Sequence, residues 1–130
     1  MLNAASLRSD NPIQLPFPYA GAQHGTFSLF SGSGQFPSVV AFTIERGQIL
    51  CADRCDVRIS FNEKDSQART FVARSSADHD STAIYFEDPE ALFEAVHAAN
   101  TFTISVLMYE AGIKRFYFTT AGIRAIHLAR

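Results

Sequence analysis

Tryptophan is missing from this 130-residue chain, and cysteine occurs only twice, proline five times and glycine seven times. The proline and glycine content is too low for a collagen-like or low-complexity segment. No run of about 18 apolar residues exists, which excludes a membrane-spanning helix. An excess of positive charge is also lacking: 11 basic residues stand against 13 acidic ones, a net charge of -2. Nucleic-acid binding would need a basic footprint that releases counterions, so the charge balance argues against that class. Gly32-Ser33-Gly34 lacks the Lys-Ser/Thr and the helix of a phosphate cradle, and no Gly-x-Ser-x-Gly elbow occurs. His24, His79, His97 and His127 are scattered, none in metal-ligand spacing with another. Met1–Asp10 has no charged head followed by an apolar stretch, so it does not read as a signal peptide, and no lipidation motif is present. Two expectations follow: a cytosolic protein, or a mature form whose leader has been removed.

What is present is a globular composition, 47% hydrophobic and 18% charged, with 12 phenylalanines and 4 tyrosines to dominate the core. The length suits one domain. Residues 1–11 are small and polar and read as a flexible tail, leaving a single β-rich domain over 12–130. Pro12–Tyr19 alternates Ile13, Leu15, Phe17 and Tyr19 with polar residues and proline, an edge strand. Thr26–Ser31 and Ser38–Ile44 are strands, and Glu45-Arg46-Gly47 is a turn from which Gln48–Cys51 returns as a hairpin partner. Cys55–Phe61 alternates cleanly, with Val57, Ile59 and Phe61 inward. Asn62–Ser66 is the turn into Ala68–Arg74, and a polar loop, Ser75–Ser81, precedes the strand Thr82–Phe86.

The period then changes. Asp88-Pro89-Glu90 supplies an N-cap, a first-turn proline and a first-turn acid. Leu92, Phe93, Val96 and Ala99 make one helical stripe, with Asn100 as a left-handed stop. Phe102–Glu110 and Lys114–Thr120 alternate again around a turn at Ala111-Gly112, and Ala121–Arg130 ends as a strand or short helix. About nine strands with short links predict an antiparallel β-sandwich or Greek-key sheet, with one α-helix at about 88–99 in a crossover.

The chain resembles a group of largely uncharacterised small β-rich bacterial proteins that are exported or lipid-anchored. The matching pieces are Pro12–Tyr19, Leu50-Cys51, Cys55–Asn62, Ala77-Asp78 before Ser81-Thr82, Tyr109–Gly112, and Phe116–Phe118 leading to Ala121–Ile123. Their order and spacing match as well. A weaker similarity links the chain to periplasmic β-proteins of the invasion-associated locus B type. It departs from the group where Asn62-Glu63 replaces Asp-Asp or Asp-Gly, and where Arg124 replaces a tryptophan after Ile123. The resemblance implies a periplasmic or envelope location and a β-rich fold, and brings no catalytic residues with it.

Cys51 and Cys55 have three readings: a structural disulfide if the protein is exported, two free buried thiols in the cytosol, or a redox or metal pair. A disulfide closing so short a loop would contribute about 2 kcal/mol and pin one corner of a strand. Asp78, His79 and Asp80 form the densest set of possible metal ligands, in a loop where aspartates commonly bond to the backbone. Arg58, Tyr85, Leu107, Tyr109, Arg115 and Tyr117 fall opposite the phenylalanine-rich face. These residue types carry interface energy, so they predict a partner-binding surface unless the helix or a second sheet covers it. The expectation is a monomeric, non-enzymatic binding or structural module of the bacterial envelope, needing no cofactor and meeting a protein or envelope partner. The alternatives are a small metal-dependent or hydrolytic enzyme centred on the 75–81 loop, and an apolar-ligand carrier lined by phenylalanine.

Overall fold

The computed structural model describes residues 3–16, 21–32, 37–75 and 81–123. It is mainly β. The strands are β1 (Asn3–Arg8), β2 (Ile13–Leu15), β3 (Gly21–Gln23), β4 (Gly25–Ser31), β5 (Val39–Ile44), β6 (Arg54–Phe61), β7 (Lys64–Ser75), β8 (Ala83–Phe86), β9 (Thr101–Met108) and β10 (Gly112–Thr119). The helix α1 (Pro89–Ala98) lies between β8 and β9, and a 3-10 turn (Thr120–Ile123) follows β10. Eight strands form one antiparallel sheet in the order β1-β4-β5-β8-β7-β6-β9-β10, and β2 pairs with β3 as a separate ribbon.

The inward faces follow from period-2 alternation. Phe27 and Leu29 of β4, Phe42 and Ile44 of β5, Ile59 and Phe61 of β6, Phe102 and Ile104 of β9, and Phe116 and Phe118 of β10 are all buried. Phe118 pairs with Phe102 across β9 and β10, and their rings stack at 4.8 Å. Phe27 meets Phe102 edge-on at 4.9 Å, as Phe42 meets Phe116. These are the separations at which aromatic pairs attract beyond their area burial. On α1, Asp88 Oδ1 accepts from the Ala91 N–H at 3.2 Å, Pro89 opens the first turn, and Leu92, Phe93 and Val96 turn into the core. In sheet order β7 and β6 lie between β8 and β9, so α1 carries the chain across two strands of one sheet.

The sheet curls until its two end strands nearly meet. The Asp10 N–H donates to Tyr117 O at 2.6 Å, and Thr119 Oγ1 donates to Asp10 Oδ2 at 2.8 Å. The Asn11 side chain behaves as a strand neighbour of β10: its Oδ1 accepts from the Tyr117 N–H at 2.8 Å and its Nδ2 donates to Arg115 O at 3.0 Å. At one end of the barrel-like sheet, buried Gln23 takes the N–H groups of Glu45 and Arg46 on Oε1, each at 2.9 Å, and donates Nε2 to Arg46 O.

Four expectations are corrected. Residues 3–8 are not a flexible tail: Asn3–Arg8 pairs with β4 along its whole length, with Ala5 and Leu7 half-buried and Ala4, Ser6 and Arg8 exposed. One alanine and one leucine make too weak an alternation to signal a strand. Gln48–Cys51 does not return along β5; Ile49 bridges Met108, and Leu50 N–H donates to Leu107 O at 2.8 Å. Gly47, at a φ of 97°, turns the chain away toward β9. The β6–β7 turn is only Asn62-Glu63, at φ values of 55° and 59°, the left-handed pair of a tight hairpin, and β7 starts at Lys64. Asn100 has no left-handed conformation; α1 ends in an extended Ala99, and Asn100 N–H donates to Asn62 Oδ1 at 2.8 Å. The segments 17–20, 76–80 and 124–130 lie outside the described residues, and with them the end of the first edge strand, most of the polar loop and most of the last segment.

Candidate functional site

Three adjacent strands, β6, β9 and β10, present a common outer face. Their registers set Arg58 beside Ser105 and Ser105 beside Arg115, one straight row across the sheet. The next row is Ser60, Thr103 and Tyr117. In the other direction Leu107 pairs with Ile113. Neighbouring strands stand about 4.8 Å apart, so the two guanidinium-bearing positions are roughly 10 Å apart with a serine between them. Leu107 is 49% exposed, Tyr117 42% and Ile113 61%. All three side chains are open to solvent. Thr103, by contrast, is buried although it faces outward, between the positions of Ser60 and Tyr117.

The six residues singled out from the sequence are all exposed, but they do not form one patch. Arg58, Leu107, Arg115 and Tyr117 come together as described. Tyr109 is exposed at the end of β9, where the chain turns through Glu110 at a φ of 56°. Tyr85 is on β8, beside Arg74 of β7 and Ala41 of β5. Its neighbourhood is an ion-pair cluster: Arg54 holds Glu87 through two bonds of 2.8 and 2.9 Å, and Arg74 approaches the same carboxylate at 3.5 Å. Sequence reading missed Ile113, the most exposed large apolar side chain of the face. It falls between the Ala111-Gly112 turn and the alternating run Lys114–Thr120, and pairing Leu107 with the first residue after that turn finds it.

Electrostatics on the face are mild. Arg58 meets Asp65 at 3.3 Å, with both side chains well exposed, a geometry in which an ion pair contributes little. Among the described residues Arg115 has no ion-pair partner. The face therefore offers one uncommitted guanidinium, one weakly committed one, a tyrosine and two aliphatic side chains.

The remaining candidates sit elsewhere. Cys51 and Cys55 are joined in a disulfide, with Cα atoms 5.1 Å apart, within the range such a bond requires. It lies beside an open hollow of about 480 Å³ lined by Gln48–Ala52, Ser75 and Ser81. Asp78, His79 and Asp80 lie outside the described residues, as does His127. His24 bonds Arg8 at 2.9 Å, and His97 packs half-buried on the Phe93 ring at 5.3 Å. No cluster of three or more His, Cys, Asp or Glu side chains able to hold a metal occurs among the described residues. No helix among them is long and apolar enough to cross a membrane. Phe27, Phe42, Phe102, Phe116 and Phe118 are in ring-to-ring contact, and four hollows among the described residues open on the surface. No family model, no curated protein and no solved structure matches the chain.

Proposed function

We propose that the protein is a non-enzymatic binding module of the bacterial envelope that engages a partner protein through the outer face of β6, β9 and β10. The observation that carries this reading is the exposure of Leu107, Ile113 and Tyr117 side by side, flanked by Arg58 and Arg115. Such residues bring large contact area at modest entropic cost and are enriched where interfaces concentrate their energy. A sheet whose core is filled by its own phenylalanines has no need of them for stability. The disulfide supports the compartment, since such bonds persist in oxidising surroundings, and so does the resemblance to exported bacterial proteins.

The test is a quantitative pull-down from envelope extract with the wild-type chain and the Arg115→Ala/Tyr117→Ala double variant. The double variant loses a defined partner by roughly tenfold or more while its urea midpoint stays put. Equal recovery of the partner by both proteins, or unfolding of the double variant, contradicts the reading.

A further inference from the structure

The sheet has a second distinctive feature, well away from that face. β7 is 12 residues long, whereas its neighbour β8 has only 4. β8 pairs with β7 over Ala73–Ser75 alone, and the last bond between them runs from Glu87 N–H to Val72 O at 3.0 Å. At Asp88 the chain leaves the sheet and becomes α1. Among the described residues no other strand lies along β7 on this side, from Val72 back to Lys64. Alternate residues of a strand direct their N–H and C=O groups to the same side. The Val72 carbonyl points away from β6, so the Thr70 N–H and C=O do too. Further back, a register shift against β6 leaves Asp65–Ala68 without partners in that ladder.

The far wall is α1. Its long apolar side chains turn into the core, and Ala91, Ala95 and Ala98, spaced four and three apart, present only methyl groups toward β7. Two hollows of about 350 and 270 Å³ share Arg69 and follow one another between strand and helix. The trough is walled by a β7 edge with no strand partner among the described residues and by these methyls, with Asn62 and Gln67 at one end and Glu87 and Asp88 at the other. It matches an extended chain. The carboxylates at its Val72 end are engaged, Glu87 by Arg54 and Arg74 and Asp88 by the Ala91 N–H, whereas Arg69 is exposed, its guanidinium lies 4.9 Å over the Phe71 ring, and no ion pair among the described residues engages it.

We propose that the trough between β7 and α1 receives an extended peptide segment of a partner polypeptide, which adds to β7 as an antiparallel strand. Main-chain bonds to the Thr70 N–H and C=O give the affinity, as in other strand additions. Small side chains such as Gly, Ala or Ser face the alanine stripe, and an acidic side chain meets Arg69. The span from Ser66 to Val72 accommodates roughly six residues, about 20 Å.

The experiment selects a displayed library of random peptides on the immobilised, disulfide-intact protein, then follows the enriched peptides by amide chemical shifts and hydrogen exchange. The expected peptides are rich in small residues with one acid, they perturb amides over Ser66–Val72, and they slow exchange at Thr70. Thr70→Pro removes an N–H that the fold does not use, and weakens these peptides by roughly tenfold or more at an unchanged melting temperature. Ala98→Phe fills the trough and does the same, which keeps the comparison available if the proline variant unfolds. The proposal fails if no peptide is enriched, or if N-methylation at alternate backbone nitrogens leaves binding intact. It also fails if the perturbed amides lie on β6, β9 and β10, or if sedimentation shows the β7 edge occupied by a second copy of this chain.

Discussion

At the scale of single residues, the fold depends on a few close approaches that no local pattern announces. Gly25 is one. A methyl group there would stand 2.6 Å from Phe42 Cε1 and 2.9 Å from Phe116 Cδ1, both in the aromatic core. Gly25→Ala therefore overpacks two fully buried rings and lowers stability by about 1–3 kcal/mol, read as a fall in urea midpoint at constant slope. An unchanged midpoint would mean that the rings shift aside freely. The inward phenylalanines themselves were legible, because Phe27, Phe102, Phe116 and Phe118 stand at alternate positions in runs that read as strands. The reason for glycine at position 25 was not legible, since it is set by rings 17 and 91 positions further along the chain. Gln23 was equally hidden. A buried polar residue that satisfies three backbone groups of a distant turn obeys no periodicity.

Elements show the same division between local and distant causes. The helix was readable almost to the residue, because its cap, its first-turn proline and its apolar stripe are all encoded within α1 and the residue before it. Its end was not, since Asn100 is held by the side chain of Asn62 from another hairpin. β1 was missed because its partner supplies what it lacks: Ala5 and Leu7 gain burial only against Leu29 and Phe27 of β4. The junction after β1 is also tertiary. Asn11 clips β10 by a reciprocal pair of bonds, standing in for a strand that would otherwise leave this edge unpaired. Asn11→Leu removes both bonds and lowers stability by about 1–2 kcal/mol. It also speeds hydrogen exchange at the Tyr117 amide more than at the Phe116 amide. Uniform acceleration along β10 would instead mean that the asparagine serves the whole strand.

For the molecule as a whole, a mainly antiparallel fold with one helix could be read from strand spacing, but its closure could not. A single sheet curling on itself and two sheets packed face to face have the same alternation along each strand, and they differ only in how the ends meet. That closure leaves one side of every strand for the core and the other for whatever the protein meets. The candidate face was legible in part, because Arg58, Leu107, Arg115 and Tyr117 share a parity along their strands. Parity does not tell which strands are neighbours, so Tyr85 was grouped with residues on the other side of β7 and β6. The account's central claim is that the surface of β6, β9 and β10 is built for a partner. A photo-crosslinking residue placed at Ile113, and in parallel at Thr26 on the outer side of β4, tests it inside the cell that makes the protein. The account predicts a discrete adduct with one other protein from position 113 and none from position 26; equal labelling from both, or no adduct from position 113, would contradict it.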